Sequence, residues 1–227
     1  MYNYIGDNMG FISRLLKKQA EPNKALTQDQ ILEILIRNYS HIGFESNDYA
    51  TIIGKLNESC MSCGGTIDSI SLVHIGQDAI IFECNNMIIK ITTLDYQTNS
   101  LTEYISNCED IQKPISEQII NIKNKKITVL TEKKLNTEKI KPVDIYDMYY
   151  KLRESGYLWY DPKKENLGKD EKGKLLLLDY GQIIYIKNMS IEEQKRELDT
   201  HKNMFPELNE SYERSKEFEA QFGGKKK

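Results

Sequence analysis

The segment Tyr160–Leu167 reads YDPKKENL, and the segment Leu175–Gly181 that follows it reads LLLLDYG. Asp161 and Asn166 are five positions apart on a loop stiffened by a proline, so both side chains can turn toward one centre. The four leucines are too short a run for a helix and predict a strand buried on both faces, with Asp179 at its end. Carboxylate and amide oxygens are hard ligands suited to Mg²⁺, whose other positions are filled by phosphate oxygens and water. The two segments therefore predict a magnesium-nucleotide site.

The composition is that of an ordinary globular chain, with 227 residues, 39% hydrophobic and 29% charged. A formal net charge of −3 argues against a protein that mainly grips nucleic-acid phosphates, so we expect no nucleic-acid partner. The pair Cys60 and Cys63 has metal or redox spacing, but no second pair of that spacing follows it. Reduced, partly buried thiols are the expectation for these cysteines.

Nothing in the sequence predicts secretion or membrane insertion. Residues 1–10 lack the basic start and apolar run of a signal peptide, and no apolar run approaches the roughly 20 residues that span a bilayer. Residues 9–19, MGFISRLLKKQ, are a short basic amphipathic stretch for which we expect at most weak membrane contact. We expect a cytoplasmic protein, or one delivered into a host cell without a classical signal peptide.

The order of patterns along the chain predicts an α+β protein in three parts. Residues 1–66 predict a helical N-terminal extension, in which Thr27 and Gln30 form a capping box. Residues 67–136 predict a small antiparallel sheet with one helix against it. Residues 137–227 predict a helical part that contains short strands and ends in a charged helix and tail.

Local signals mark the element ends inside these parts. A turn is predicted at Asn85–Asn86, and a hairpin is predicted around Asn124. A capping-box pattern at Ser100 predicts a helix over 101–110. Pro142 suits a first helical turn, and Gly156 offers the left-handed end of the same helix.

A lysine lies in the predicted sheet, among apolar residues that hold its strand in place. Lys90 closes the sequence MIIK at 87–90, and its ammonium can neutralise phosphate charge. Glu103 on the predicted helix is the candidate acid that holds this ammonium, although the capping-box pattern alone also accounts for it, and Glu109 is an alternative.

Residues from about 73 to 181 resemble the protein-kinase fold. The loop that begins at Asp161 is similar to the family's catalytic loop, and the triplet from Asp179 is similar to its Asp-Phe-Gly. The resemblance implies that Asp161 orients or deprotonates the acceptor hydroxyl and that Asn166 and Asp179 bind Mg²⁺. It also implies that Lys163, as in Ser/Thr protein kinases, steadies the transferred phosphoryl group.

The same resemblance extends to the predicted sheet and its nucleotide. Lys90 matches the lysine of the family's Val-Ala-Ile-Lys strand, and Glu103 lies where its partner is expected. The segment VLTEK at 129–133 is similar to the hinge that binds adenine. Thr131 would guard the rear pocket, with Glu132 and Lys133 beside the nucleotide.

The chain also departs from the family pattern. The glycine-rich loop keeps only Gly76 of three glycines, so Gly76 and Ala79 are its nucleotide-binding candidates. Asp78 stands where a glycine is usual, and its charge would repel phosphates. Trp159–Tyr160 replaces the usual His-Arg, and no Ala-Pro-Glu motif follows. The chain therefore resembles the minimal kinases of bacterial effectors, in which the helical C-lobe is reduced.

Three classes of function fit these residues, all involving ATP and Mg²⁺ or their binding. A minimal Ser/Thr protein kinase with a protein substrate is favoured by Lys163 and by the Asp-Tyr-Gly triplet. A small-molecule kinase of the antibiotic or sugar type shares the Asp-to-Asn spacing, but its large acceptor-binding insert finds no room. A pseudokinase acting as a binding module is disfavoured because the chain keeps the four polar residues of the site, Lys90, Asp161, Asn166 and Asp179. Asp78 in the phosphate loop nevertheless keeps that alternative open.

Overall fold

The structure is a computed structural model that describes residues 25–76, 79–93 and 100–222, with side chains through residue 220. Over these residues the protein is α+β, with six α-helices and nine β-strands. Residues 9–19, with their predicted membrane contact, and Asp78 lie outside the described residues. Within the described part of the chain, no helix is both long enough and apolar enough to cross a bilayer.

The described chain divides into two compact units. The first contains residues 25–93 and 115–133, and the second contains residues 100–114 and 134–222. The boundary predicted at residue 66 does not coincide with a division between these units, because the N-terminal helices and the sheet belong to the same one.

Two helices open the first unit. Helix α1 spans Gln28–Tyr39 and α2 spans Ser46–Ser62, with short 3-10 turns at Ser40–Ile42 and Ile67–Ser69. The capping box at Thr27 is confirmed, since its hydroxyl accepts a hydrogen bond from the Gln30 N–H at 3.3 Å and the Gln30 side chain accepts one from the Thr27 N–H at 2.9 Å.

A five-stranded antiparallel sheet completes the first unit. Its strands are β1 Ser71–Ile75, β2 Ala79–Cys84, β3 Met87–Thr92, β4 Ser116–Ile122 and β5 Lys125–Lys133, in the order β1-β2-β3-β5-β4. Both predicted hairpin turns are confirmed: Asn85 and Asn86 have φ of 49° and 61°, and Lys123 and Asn124 have φ of 48° and 63°. Left-handed conformations at two successive residues match the right-handed twist of the strands, and asparagine tolerates them well.

One face of this sheet packs against α1 and α2. The Tyr39 hydroxyl donates to the Ile91 carbonyl at 3.0 Å, and the Gln118 amide donates to the Ser59 hydroxyl at 3.1 Å. The shared core contains Ile31, Leu35, Ile52 and Leu56 from the helices and Ile80, Phe82, Ile89 and Val129 from the strands. The two helices that the sequence assigns to a separate extension therefore cover this face of the sheet.

The second unit contains four helices and two strand pairs. The helices are α3 Leu101–Tyr104, α4 Pro142–Ser155, α5 Ile191–Met204 and α6 Pro206–Phe222. The strands are β6 Tyr157–Trp159, β7 Leu167–Lys169, β8 Leu175–Leu177 and β9 Ile183–Tyr185; β6 pairs with β9 and β7 with β8, both antiparallel.

The helix predicted over 101–110 is shorter than expected and ends at Tyr104. The Ser106 hydroxyl donates to the Glu103 carbonyl at 2.8 Å, a local bond that competes with continued helix. The Tyr104 hydroxyl donates to the Ile183 carbonyl at 2.6 Å, and the Tyr157 hydroxyl donates to the Tyr104 carbonyl at 2.6 Å. These bonds tie α3 to the β6–β9 pair.

Other predicted ends in this unit are confirmed. Helix α4 begins at Pro142 and is followed by Gly156 with φ of +92°. The leucine segment forms β8 as expected, but the expectation of burial on both faces holds for one face only. Leu175 and Leu177 are buried, whereas Leu176 is half-buried.

Candidate functional site

The loop that carries Asp161 starts where β6 ends. The Tyr160 N–H donates to the Gln182 carbonyl at 2.7 Å, which extends the β6–β9 pairing by one residue. The Lys163 N–H then donates to the Asp161 carbonyl at 2.8 Å, and a 3-10 turn at Lys164–Asn166 leads directly into β7. The loop is therefore short and closed by backbone hydrogen bonds at both ends.

Both oxygens of the Asp161 carboxylate are held from within this loop. The Asn166 side-chain N–H₂ donates to Asp161 Oδ2 and to the Asp161 carbonyl, each at 2.9 Å. Lys163 Nζ lies 2.7 Å from Asp161 Oδ1. The Asp161 side chain remains 27% exposed, so an incoming group can still reach it.

Asp179 lies beside the same loop. The Leu178 N–H donates to the Asn166 carbonyl at 2.8 Å, which fixes the backbone before Asp179 against the end of the loop. The Gly181 N–H donates to Asp179 Oδ1 at 3.0 Å and holds the carboxylate over the following turn. The structure thus places the backbone before Asp179 against the end of the loop that carries Asp161 and Asn166.

Lys163 is surrounded by negative charges. The hydrogen bond and charge of Asp161 raise the pKa of Lys163 above its usual range, and the charges of Glu165 and Asp179 add to the effect. Lys163 is therefore a cation at neutral pH, in the field of both predicted active-site aspartates.

The free oxygens of this cluster fit a magnesium ion. The Asn166 N–H₂ donates to Asp161, and the amide oxygen of Asn166 has no hydrogen bond among the described residues. Asp179 accepts through Oδ1, and its Oδ2 likewise has no hydrogen bond among them. No group of three or more His, Cys, Asp or Glu residues suited to a metal occurs in the described ranges. Two protein oxygens completed by phosphate and water are what Mg²⁺ commonly takes.

The predicted lysine lies in the first unit and is paired there. Lys90 Nζ lies 3.0 Å from Glu132 Oε2, and the two side chains are 11% and 1% exposed. In the register of β3 and β5, Lys90 faces Leu130 and Ile88 faces Glu132, so the pair is diagonal on one face of the sheet. Sequence reasoning placed Glu132 beside the nucleotide and missed its pairing with the lysine.

The register also places the other residues of the predicted hinge. Segment 129–133 lies inside β5 and pairs with β3 over its length and with β4 up to Thr131. The segment is therefore part of a strand and not a free connection. Thr131 is one residue from Glu132, so its side chain points to the opposite face from Lys90 and not toward the rear of a pocket that contains the lysine. Its carbonyl accepts from the Ile115 N–H at 2.7 Å.

The remaining predicted residues lie at the edges. Glu103 is exposed, and its N–H is capped by the Ser100 hydroxyl at 3.1 Å. The carboxylate that the first unit supplies to Lys90 is that of Glu132. The Gly76 N–H donates to the Ala79 carbonyl at 2.8 Å and closes the short β1–β2 connection. Lys133 is exposed at the end of β5.

No family model matches the chain, and no curated protein matches it. Matching solved structures include a crystal structure of WbdD, with 13% identity and a TM-score of 0.35 over 59% of this chain and 37% of that one. A second is WbdD with the kinase inhibitor LY294002, with 14% identity and a TM-score of 0.34 over 50% of this chain and 33% of that one. A third, described as the bifunctional kinase-methyltransferase WbdD, has 12% identity and a TM-score of 0.32 over 56% of this chain and 35% of that one. The chain thus spans about a third of the length of these proteins. Similarity at this level does not establish a shared fold, and a function must rest on the residues themselves.

Proposed function

We propose that this protein is an ATP-dependent phosphotransferase that transfers the γ-phosphoryl group of ATP to a Ser or Thr hydroxyl of a protein. The observation that carries the proposal is the Asp161 carboxylate, held at 2.7 Å by Lys163 and at 2.9 Å by Asn166, with Asp179 bonded into the turn beside it. An orienting acid, a cation and two free oxygen ligands in one short loop cluster are the protein groups that phosphoryl transfer requires.

Asp161 acts on the acceptor hydroxyl. Its carboxylate accepts the hydroxyl proton as the new oxygen–phosphorus bond forms and the bond between the γ-phosphorus and the bridging oxygen breaks, with ADP leaving. Lys163 stabilises the negative charge on the transferred phosphoryl oxygens, because it is already cationic and adjacent to Asp161.

Asn166 and Asp179 would hold Mg²⁺ through the two oxygens that the loop leaves unbonded. When bound, the ion neutralises charge on the β- and γ-phosphates. The Asn166 amide has a second task, since its N–H₂ keeps the Asp161 carboxylate in orientation. Loss of Asn166 is therefore expected to affect the acid as well as the metal.

Lys90 is assigned to the nucleotide phosphates, with Glu132 as the residue that orders it. The backbone around Gly76 and Ala79 is assigned to the same phosphates, and the end of β5 at Lys133 to the base. A protein acceptor is favoured over a small molecule by Lys163, whose place two residues after Asp161 matches the loop lysine of Ser/Thr protein kinases.

Transfer of ³²P from γ-labelled ATP tests the proposal directly. The acceptors are dephosphorylated casein, a monosaccharide panel and an aminoglycoside panel, each with and without Mg²⁺. We expect Mg²⁺-dependent labelling of protein serine or threonine that Asp179→Ala abolishes and Asp199→Ala, an exposed aspartate of α5, preserves.

Each other outcome has a defined meaning. Label in a small molecule only would replace the protein acceptor by a small-molecule one. Binding of Mg·ATP without any transfer, measured as a rise in melting temperature, would identify a binding module; saturation a hundredfold above Kd is worth about 2.7 kcal/mol. A melting temperature that ignores Mg·ATP, with no transfer, would remove the proposal.

A further inference from the structure

His201 is a buried histidine of α5 that contacts the strand from which the Asp161 loop starts. Its side chain has no exposed surface, and its Nε2 lies 2.8 Å from the carbonyl oxygen of Trp159. Its Nδ1 lies 3.3 Å from the Tyr149 hydroxyl of α4. No sequence motif marks this residue, which is some forty positions beyond the loop.

The two contacts determine the protonation of the ring. A carbonyl oxygen only accepts, so Nε2 must carry the hydrogen. In the neutral ring Nδ1 is then an acceptor, and the Tyr149 hydroxyl donates to it. Burial lowers the pKa of His201 below its usual value, and the charge of Arg153 acts in the same direction, against the opposing effect of the Trp159 carbonyl. The ring is therefore neutral at pH 7.

The peptide unit that His201 contacts is held from its other side as well. The Trp159 carbonyl and the Tyr160 N–H belong to the same planar peptide, and that N–H donates to the Gln182 carbonyl at 2.7 Å. One bond from α5 and one from the β9 side thus fix the plane of this peptide, which lies one residue before Asp161. Without the histidine bond, only one of the two restraints would remain.

Aromatic contacts hold the ring in this orientation. Tyr149 stacks on His201 at 5.5 Å between ring centroids, and Tyr160 meets it edge-on at 4.9 Å. The Tyr160 hydroxyl in turn donates to a carboxylate oxygen of Glu197 on α5 at 3.0 Å. Helix α5 therefore contacts the two successive residues immediately before Asp161, the backbone of Trp159 and the side chain of Tyr160.

We propose that His201 is a positioning residue, which fixes the Trp159–Tyr160 peptide and thereby the direction in which Asp161 is presented to the acceptor. This inference rests on the proposed phosphotransfer. It assigns His201 no contact with substrate or nucleotide.

Two substitutions of similar polarity separate positioning from simple stability. His201→Gln places an amide N–H₂ near the Nε2 position. His201→Asn places it near the Nδ1 position, and this shorter side chain does not reach the Trp159 carbonyl. We expect His201→Gln to keep kcat within about threefold of the original protein and His201→Asn to lower it about tenfold, roughly the loss of one net hydrogen bond. KM for ATP should stay within about twofold in both. The exposed His41→Gln is the matched control.

All rates are taken well below the melting temperatures and per folded molecule, so that loss of stability alone does not lower kcat. An unchanged kcat in His201→Asn, or an equal loss in both variants, would overturn the positioning role while transfer by the original protein stands. Absence of transfer in the original protein would instead remove the proposed function, and the positioning role with it.

The hydrogen bond itself is tested without activity. Long-range ¹H–¹⁵N NMR of the ring nitrogens distinguishes the two neutral tautomers from the cation, and the chain has only three histidines. Substitution of the exposed His41 and His74 by Gln, one at a time, identifies their signals, and the remaining signal belongs to His201. We expect that signal to report the Nε2–H tautomer at pH 7. The Nδ1–H tautomer or a cationic ring would overturn the inference even if neither protein substituted at His201 folded.

Discussion

The pair Lys90–Glu132 predicts that Lys90→Met weakens the first unit strongly and separately from any loss of catalysis. The substitution keeps the length and apolar stem of the side chain but removes the charge that faces Glu132. Glu132 is then left as a buried carboxylate, 1% exposed, without the ammonium that lies 3.0 Å away. Breaking one side of a buried pair typically costs about 3–5 kcal/mol.

Lys90 retains 11% exposure and some hydration, so we take the lower end, about 3 kcal/mol. A small domain has about 5–15 kcal/mol of net stability, so the substituted protein is expected to fold but to open more often. The double variant Lys90→Met, Glu132→Gln removes both charges and should recover about 2 kcal/mol of that loss.

An exposed pair in the same unit is the matched control. Lys55 and Glu58 on α2 lie 2.8 Å apart, which is as close as the buried pair, but their side chains are 39% and 56% exposed. Exposed pairs contribute about 0–1 kcal/mol, so Lys55→Met should change stability by less than 1 kcal/mol. The difference between the two lysine variants isolates the effect of burial.

Native-state hydrogen exchange of the β3 and β5 amides is the suitable assay, because it reads the opening free energy of this sheet and not an average over two units. Equal protection in the Lys90→Met and Lys55→Met proteins would refute the reasoning. So would a double variant no better protected than Lys90→Met. Transfer should be lost in both proteins that lack Lys90, whatever their stability, if the lysine acts on phosphate.

Three further outcomes follow from the described contacts. Removal of residues 1–66 should leave an insoluble or unfolded sheet in a solubility and circular dichroism test. The reason is that each buried Ile or Leu of the core shared by the helices and the sheet contributes about 1.5–3 kcal/mol to stability. A soluble, folded product would support the domain boundary predicted from sequence. Asp144→Asn should lower stability at pH 7 by about 1 kcal/mol. The backbone N–H of Lys141, and then Lys169 at 2.9 Å, lower the pKa of Asp144. Its contribution to stability is therefore present above the unfolded-state pKa of about 3.9 and is lost as pH falls through the lower folded value. The stabilities of the original protein and Asp144→Asn from urea melts should differ at pH 7 and converge at acidic pH, and a constant difference would contradict the assignment. Gly156→Ala should cost about 1–3 kcal/mol in a thermal melt, because φ is +92° and the added methyl meets the Lys187 side chain; an unchanged melting temperature would exclude that strain.

Much of the local structure could be predicted because its causes are local. The capping box at Thr27, the turn at Asn85–Asn86 and the start of α4 at Pro142 each depend on backbone preferences within a few residues. The hydrogen bond between Asn166 and Asp161 belongs to the same class, since it closes a segment of six residues, 161–166.

What escaped prediction depends on contacts between distant segments. The helix expected over 101–110 has apolar residues at helical spacing, but hydroxyl bonds to the backbone and to Ile183 end it early. The partner of Lys90 is set by a diagonal in the β3–β5 register, which a single sequence does not reveal. The face of Thr131 follows from the same register, because neighbouring strand residues point to opposite sides. Glu132 did carry a signal: an acid near the end of an apolar strand suggests a buried partner.

Lys90 on β3 is held in place by Glu132 on β5, the strand that pairs with β3. The charge contact is therefore assembled when β3 pairs with β5, as part of folding, and needs no later movement of a helix to form. If Lys90 serves ATP as proposed, its ammonium is already held by Glu132 in the folded sheet before any nucleotide arrives.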